Sequence, residues 1–594
     1  MRKIFLLFFV CLTTTIFSQN ITTKFEQSNR TQTPTYPEII DWWKKMDAAS
    51  PYVKMMEMGM SDAGHPLHLI LVSTDKDFNI PSLKKKNKRF ILINNGIHPG
   101  EPDGIDASML LVRDIDETMK DKAAARPGRP AIIRDTDTTF FLENVVLAII
   151  PVYNIGGCLN RSADYRVDQN GPEEFGSRGN SQNLDLNRDF IKCDSKEAKA
   201  FAEIFHLIDP DVFVDNHVSN GADYQHVMTL ICTQHNKLGG VMGEFLNKIF
   251  EPGLYASMKE KNYDLIPYVN SFSDTPDNGW PEYFEGPRYS SGYAALWHTF
   301  SFVAETHMLK PYDQRVRATY ELMKSFIDFT STNSAMIKKL RDQTKQAVKT
   351  QTEFPISWSL DRSQSSKRIY KGYAADRKPS EVSGLPRLFY DRTKPYEKEI
   401  PFFNFYKSGN YIKKPVAYII PQGWAGVIEL LKINKVTMTQ LKKDTLIEVE
   451  VYRIDDYKTS PRPYEMHHIN SEVKTSISSK KMQFRKGDYY IPMNQVANRF
   501  LIETLEPTAA DSYFAWNFFD GILGQKEGYS GYAFEDIAAD YLKNNTDLKN
   551  KLDQRRSTDT AFAKNGRAQL NFVYENSPWY EPDYLRYPVF RLVK

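Results

Sequence analysis

Short apolar runs separated by long polar stretches mark the first half of the chain, and this pattern predicts buried strands. The runs are Arg89–Asn94, Val145–Ile150, Asp211–Asp215 and Ser301–Ala304. Runs without polar alternation are typical of strands covered on both faces, as in a parallel sheet between layers of helices. The sequence therefore predicts an α/β fold with a mixed, mostly parallel sheet flanked by helices.

Polar side chains follow these runs where each apolar stretch stops. They are His98 and Glu101, then Asn187 and Arg188 on the long excursion after the second run, then His217, and finally Glu305. In open α/β sheets, ligands bind beyond the carboxyl ends of the strands. We therefore expect these residues to converge on one site.

Two histidines and a carboxylate are the ligand set of a catalytic zinc ion, which keeps a fourth coordination position open. His98 and Glu101 come from one turn, and His217 comes from a distant run. A His-x-x-Glu pair alone is weak evidence for a metal. The helix-borne His-Glu-x-x-His motif is absent, which argues against that class of metalloprotease site.

The segment Arg178–Phe190 strengthens the case that His98 and Glu101 bind a metal. It reads Arg-Gly-Asn-Ser-Gln-Asn-Leu-Asp-Leu-Asn-Arg-Asp-Phe. With the two histidines and two glutamates in the same order along the chain, it closely resembles the zinc carboxypeptidases of the A/B and D/E type. The Asp-Leu-Asn-Arg core carries this resemblance, and the arginine nine residues before the asparagine resembles the D/E branch. The resemblance covers roughly residues 35 to 345, a usual size for one α/β unit.

The resemblance implies how zinc would be held and used. One zinc ion per chain would be bound by His98, Glu101 and His217, where it would polarise the scissile carbonyl and acidify a water molecule. Glu305 would take the proton from this water and pass it to the leaving amine. Asp185 matches the carboxylate that orients a zinc-bound histidine.

The resemblance also implies the groups that meet the substrate. Arg178 matches the arginine that faces the developing oxyanion. Asn187 and Arg188 match the pair that grips the terminal carboxylate, a task for which a guanidinium fork is suited. These enzymes also carry a tyrosine that closes over the substrate. Of Tyr283, Tyr289 and Tyr293, we choose Tyr289, because Ser and Gly residues follow it.

The sequence departs from the family pattern in places, and each candidate residue also has a structural explanation. Asp189 follows the Asn-Arg pair where Asn is usual, and no residue can be placed at the base of the specificity pocket. Each candidate also has a structural alternative: a histidine hydrogen-bonded in a loop, a carboxylate paired with a cation, or a surface arginine. The remaining nearby histidines are interpreted as structural, namely His226, His298 and His307.

The first residues predict export. Met1-Arg2-Lys3, an apolar stretch and then Ser18-Gln19 have the pattern of a secretory signal peptide, which we place at residues 1–18. We therefore expect a periplasmic or extracellular protein. No later run is long enough to cross a bilayer. The formal net charge of +3 on 594 residues and the lack of a basic, aromatic-rich stretch give no indication of nucleic-acid binding.

Three cysteines would remain after cleavage at that site: Cys158, Cys193 and Cys232. An odd count is no disulfide framework. Cys158 and Cys193 flank the segment with the candidate arginines, so the sequence is compatible with a bridge there and equally with small buried apolar residues.

The length predicts a second region. We expect a catalytic unit over residues 19–345, closed by a helix near Met336–Lys349, and an α+β region of unknown role over residues 350–594. Its predicted strands lie near 416–420, 446–452 and 488–491, and its predicted helices near 425–431 and 531–541. Covering the site, pairing two chains and binding a wall component all remain open for it.

The resemblance thus implies a zinc metallocarboxypeptidase acting on the C-termini of peptides or proteins. A second interpretation keeps the zinc chemistry but takes the stem peptides of peptidoglycan. A third is an inactive pseudoenzyme that binds peptides, which the presence of all three ligands and Glu305 disfavours. Side-chain preference and oligomeric state are left open.

Overall fold

The computed structural model describes residues 21–124, 142–271 and 274–593. The predicted signal peptide at residues 1–18 lies outside these ranges. Inside them, every helix is too short or too polar to span a membrane.

An eight-stranded sheet forms the centre of the first region. Its strands are β1 Val53–Met60, β2 Pro66–Val72, β3 Arg89–Asn94, β4 Val145–Ile150, β5 Val212–Ser219, β6 Met228–Cys232, β7 Ile266–Pro267 and β8 Phe300–His307. Their order across the sheet is β1-β2-β4-β3-β5-β8-β6-β7. The four central strands β4, β3, β5 and β8 are parallel. β1 and β2 are antiparallel to their neighbours, and β6 is antiparallel to β8 but parallel to β7. The predicted mixed, mostly parallel sheet is confirmed.

The apolar runs predicted the central strands well. β3 and β4 have the predicted bounds, and every residue in both is buried. β5 and β8 continue past their apolar runs into polar residues. They do so because the two strands pair in parallel register along their whole length, and this pairing satisfies the backbone groups of the polar ends.

Helices cover this sheet. Those of the first region are Lys24–Gln27, Tyr36–Ala49, Ile80–Lys85, Asp103–Ala124, Ile155–Leu159, Lys196–Ile208, His235–Leu238, Gly240–Phe245, Glu251–Glu260, Ser290–Leu296, Tyr312–Thr332 and Ser334–Thr350. Asp103–Ala124 and Tyr312–Thr332 pack on each other and on the central strands, while Lys196–Ile208 packs on β1, β2 and β3. The helix predicted near Met336–Lys349 is present as Ser334–Thr350.

The second region is rich in strands, as predicted for an α+β fold. A six-stranded sheet has the order Thr439–Gln440, Tyr489–Pro492, Ala417–Ile420, Phe590–Leu592, Thr445–Thr459, Asn470–Phe484. Glu353–Leu360 pairs with Tyr406–Lys413. Ser366–Pro379 pairs with Pro386–Phe403, which also pairs in parallel with the short strand Trp280–Pro281 of the first region. The helices are Ala425–Ile433, Asn498–Leu505, Gly531–Lys543, Thr546–Thr558, Thr560–Ala563 and Gly566–Glu575.

The two regions share one apolar core. Side chains from both belong to the same buried cluster, and the rings of Trp297 and Phe500 pack 5.0 Å apart across the junction. The three cysteines within the described residues are buried free thiols, at Cys158, Cys193 and Cys232. They therefore act as small apolar residues, and the Cys158–Cys193 bridge is not formed.

Candidate active site

Strand pairing places two of the predicted residues side by side. His217 on β5 and Glu305 on β8 are direct partners in the parallel register. Side chains at paired positions emerge on the same face of a sheet. Both residues therefore face one cavity, although they lie within their strands and not beyond the strand ends as predicted.

The turn after β3 supplies the next two residues. Glu101 N–H donates to the carbonyl of His98 (2.8 Å), which closes the turn. Gly100 lies so close to the neighbouring chain that a Cβ there would be 2.9 Å from the carbonyl oxygen of Gly176. This close approach requires glycine.

His98, Glu101 and His217 form a compact cluster of buried ligand atoms. Oε2 of Glu101 lies 3.3 Å from Nδ1 of His98 and 3.1 Å from Nδ1 of His217. Zinc bonds of about 2.0–2.1 Å in tetrahedral geometry require ligand atoms about 3.3 Å apart. The donor set and its spacing therefore fit a zinc ion.

A carboxylate holds the second nitrogen of each histidine. Nε2 of His98 lies 2.9 Å from Oδ1 of Asp185, and Nε2 of His217 lies 3.1 Å from Oδ2 of Asp215. Such contacts fix the tautomer and leave the other nitrogen free to bind a metal. Asp185 had been singled out from the sequence, whereas Asp215 had not, although it precedes His217 by only two residues.

The cluster is strongly favourable for a cation. Burial would raise the pKa of Glu101, but the charges of His98 and Arg166 and a hydrogen bond from His217 hold it well below its ordinary value. Burial would lower the pKa of His217, but Asp215 and Glu101 raise it well above its ordinary value. The surrounding carboxylates thus stabilise positive charge at this histidine, whether it is a proton or a metal ion.

The carboxyl group of Glu305 is buried close to other carboxylates, which shifts its titration toward neutral pH. Burial raises the pKa of Glu305 to about 8; the positive charge of His217 opposes this, and the carboxylates of Glu101 and Glu285 add to it. A pKa near the working pH suits a general base. A bound cation would lower this pKa.

The four residues predicted to meet the substrate lie around the same cavity: Arg178, Asn187, Arg188 and Tyr289. Asp185 caps the short helix Leu186–Arg188, so Asn187 and Arg188 follow directly from it. Arg178 Nε donates to the other oxygen of Asp185 (3.0 Å), and Arg178 Nη1 lies 3.6 Å from Glu101. The guanidinium of Arg188 lies over the ring of Tyr289, 4.5 Å from its centre.

The structure separates the three candidate tyrosines. Tyr289 and Tyr283 both face the cavity, and the hydroxyl of Tyr283 donates to that of Tyr289 (3.3 Å). Tyr293 is fully buried and donates to Asn434 (2.6 Å), so it belongs to the core.

These residues enclose a cavity of about 330 Å³. It is lined by His98, Glu101, Arg166, Arg178, Asn187, Arg188, His217, Val218, Ser219, Asn220, Ile231, Tyr268, Asn270, Tyr283, Glu285, Tyr289 and Glu305. Every residue predicted to contact metal or substrate is among them. Asp185 is not among the lining residues and contacts His98 from behind the cavity.

Two charged residues of the cavity had not been predicted. Arg166 donates from Nη1 to Oε1 of Glu101 (2.8 Å), and Glu285 accepts from the backbone of Ser291 (3.0 Å). Burial raises the pKa of Glu285. Neither residue lies in a recognisable sequence motif. Each reaches the site only through the folding of the surrounding loops.

Asp189, the departure from the family pattern, has a structural role. It is fully buried and accepts hydrogen bonds from the ammonium group of Lys192 and from the backbone N–H groups of Asp194 and Ser195. It therefore fixes the start of helix Lys196–Ile208 and does not line the cavity.

The other nearby histidines also lie outside the cluster. His226 forms hydrogen bonds with the backbone of Asp264 and Lys371. His307 forms hydrogen bonds with the backbone of Ala222 and Leu309. His298 is buried beside the second region. This agrees with their interpretation as structural residues.

Residues 39–222 match the family model Peptidase_M14, zinc carboxypeptidase. The predicted resemblance is confirmed for this segment, which contains the His-Glu-His cluster and the Asn-Arg pair; Glu305 lies beyond it. A comparison with curated proteins gave no significant match.

Solved structures of metallocarboxypeptidases are similar to about half of the chain. The protein from Burkholderia cenocepacia has 15% identity over 49% of this chain and 68% of its own, with a TM-score of 0.34. The one from Pseudomonas aeruginosa, in complex with (2-guanidinoethylmercapto)succinic acid, has 14% identity over 50% and 68%, with a TM-score of 0.36. Carboxypeptidase A from Helicoverpa armigera has 14% identity over 51% and 74%, with a TM-score of 0.37.

Proposed function

We propose that this protein is a zinc metallocarboxypeptidase that hydrolyses the last peptide bond of peptides with a free C-terminus. The match of residues 39–222 to a family of zinc peptidases supports peptide hydrolysis as the general activity. The observation that carries the finer proposal is that one cavity holds both the His98–Glu101–His217 cluster and Arg188.

A zinc ion held by His98, Glu101 and His217 would supply Lewis-acid polarisation of the scissile carbonyl and lower the pKa of water. Glu305, on the strand beside His217, accepts the proton of the attacking water and delivers it to the leaving amine. Arg178 places a fixed cation at the rim of the cluster, where it stabilises charge that develops on the carbonyl oxygen.

Arg188 and Asn187 select the substrate. Arg188 presents a guanidinium fork to the cavity from above the ring of Tyr289, and a fork of this kind binds a carboxylate with two hydrogen bonds. A peptide whose C-terminus is free would therefore be held with its last peptide bond near the metal cluster. Tyr289, and Tyr283 bonded to it, would close this end of the cavity.

Export belongs to the proposal as well. It is supported by the charged start, apolar stretch and small-residue exit of residues 1–18. The peptidoglycan alternative uses the same residues, since a stem peptide also ends in a carboxylate.

The test compares a free peptide with its C-terminally amidated twin. The parent enzyme should release single residues from the free peptide and cleave the amide at least about 30-fold more slowly, since a shielded charge pair contributes ~2–5 kcal/mol. In Arg188→Ala this preference should shrink, while Arg188→Lys should keep part of it. A stem peptide assayed in parallel separates the two substrate classes. Equal cleavage of both twins by the parent would contradict the proposal and favour an amidase or endopeptidase.

A further inference from the structure

A tight turn of the second region reaches the candidate substrate-binding segment. It connects the long strands Thr445–Thr459 and Asn470–Phe484, and we call it the 464–467 turn. Tyr464 N–H donates to the carbonyl of His467 (2.8 Å), and His467 N–H donates back to Tyr464 (3.0 Å).

The backbone of this turn is in an unusual conformation. Its two central residues, Glu465 and Met466, have φ values of +50° and +68°. Turns with positive φ at both central positions favour Asn and Gly, because a side chain there crowds the backbone. Neither residue is Asn or Gly, and backbone strain of this kind is concentrated at functional sites.

Three of the four turn residues contact one short segment of the first region, residues 185–194. The hydroxyl of Tyr464 accepts a hydrogen bond from Nε of Arg188 (3.0 Å), and the carboxylate of Glu465 accepts one from the backbone of Asp185 (2.9 Å). His467 Nε2 lies 2.9 Å from a carboxylate oxygen of Asp194. The turn therefore binds the segment that carries the Asn-Arg pair at both of its ends.

Packing holds the turn in place. The ring of Tyr464 stacks on Trp516 with centres 6.4 Å apart, and Trp516 is fully buried. Arg288 lies over Trp516 and forms an ion pair with Asp511 (2.7 Å). Because the ring of Tyr464 packs on Trp516, its hydroxyl is held in place as an acceptor for Arg188.

Some N–H donors of Arg188 form hydrogen bonds within the protein, and others remain available to a ligand. Nε binds Tyr464, and Nη1 donates to the carbonyl of Asn187 (2.8 Å). Nη2 lies 3.8 Å from Asp185, beyond hydrogen-bond distance. Tyr464 is not among the residues that line the cavity. It therefore acts on Arg188 from behind and leaves Nη2 and the second hydrogen of Nη1 to bind a ligand as a two-bond fork.

We infer that Tyr464 is a positioning residue for the terminal carboxylate of the substrate, acting through Arg188, and that the second region is thereby part of the working active site. This inference rests on the proposed function, because it assumes that Arg188 binds the carboxylate. Removing the hydroxyl leaves the ring packing intact but removes the acceptor for Nε of Arg188, so the guanidinium is held less firmly in the orientation that binds a carboxylate. The loss should therefore fall on binding of the free C-terminus and not on the chemical step.

The test is Tyr464→Phe, with the exposed Tyr532→Phe as the matched control. KM for the free peptide should rise about tenfold, the effect of one hydrogen bond to a charged group. We expect kcat to stay within about twofold and cleavage of the amidated twin to be unchanged, because that peptide has no carboxylate to bind. The control should match the parent in all three measurements. Glu465→Ala should act in the same direction, and Glu465→Gln, which keeps an acceptor oxygen, should restore the parent value.

A second measurement reports on the contact without using activity. In protein labelled with ¹⁵N, the Nε–H signal of Arg188, identified by its absence in Arg188→Lys, should shift in Tyr464→Phe and stay unchanged in Tyr532→Phe. If the parent prefers the free peptide but Tyr464→Phe keeps that preference, the inference fails and the proposed function stands. If the parent does not discriminate between the twins, the proposed function fails and the inference with it.

Discussion

Nε2 of His98 lies 2.9 Å from Oδ1 of Asp185, and this contact turns Nδ1 of the same ring toward Glu101. The other oxygen of Asp185 accepts from Arg178 (3.0 Å). One carboxylate therefore orients the ring of His98 and the guanidinium of Arg178 together. Burial opposes ionisation of Asp185, but the charges of His98, Arg178 and Arg188 hold its pKa far below the ordinary range.

Asp185→Ala should weaken zinc binding. Loss of a carboxylate behind a ligating histidine typically costs 10- to 100-fold in metal affinity, and we expect a loss of about that size here. A chelator competition measures the dissociation constant, with the exposed Asp540→Ala as control. An unchanged constant in Asp185→Ala would show that the orientation of His98 does not depend on this contact.

His217→Ala should remove both metal and activity. The parent should hold about one zinc per chain, and the variant should hold almost none, because two remaining ligands form a much weaker site. Metal analysis after dialysis measures the ratio, and the exposed His468→Ala serves as control. Full retention of zinc by His217→Ala would remove this residue from the site.

Much of this site was predictable because its residues lie beside short apolar runs. β3 and β4 have the bounds that the runs indicated, and His217 and Glu305 come together because β5 and β8 pair in parallel register. The apolar pattern could not show how far a strand continues into polar residues, since that depends on its neighbours.

Long-range contacts were not predictable. Tyr464 lies 276 residues from Arg188 along the chain, and Arg166 lies 65 residues from Glu101. Neither pair has a spacing or motif that marks it, because each depends on how a loop is held by the rest of the fold. Covering the site was one of three roles that the sequence left open for the second region.

Glu305→Gln should separate the base from the metal ligands. The amide has nearly the same size but cannot accept the proton of water, so kcat should fall by at least ~10². Zinc content should stay at the parent level, because Glu305 is not in the ligand cluster. Turnover within a few fold of the parent would exclude Glu305 as the base, and loss of zinc would place it among the ligands.

His307 should make the fold sensitive to mild acid. Burial lowers its pKa to about 4. The hydrogen bonds explain why the ring stays neutral: Nε2 donates to the carbonyl of Ala222 (2.8 Å), and Nδ1 accepts from Leu309 N–H (3.1 Å). A proton on Nδ1 would break the second bond. Histidine in an unfolded chain has a pKa of about 6.5.

Between pH 6.5 and 4, therefore, the unfolded chain binds a proton at this position and the folded protein does not. Stability then falls as the pH falls through this window, by up to ~3 kcal/mol for this one group. His307→Gln should be less stable than the parent at pH 7, because it loses the ring contact with Tyr224. Its melting temperature should nevertheless drop less between pH 7 and pH 5 than that of the parent. The exposed His468→Gln should drop as much as the parent does, and an equal drop in His307→Gln would show that His307 does not contribute to the acid sensitivity.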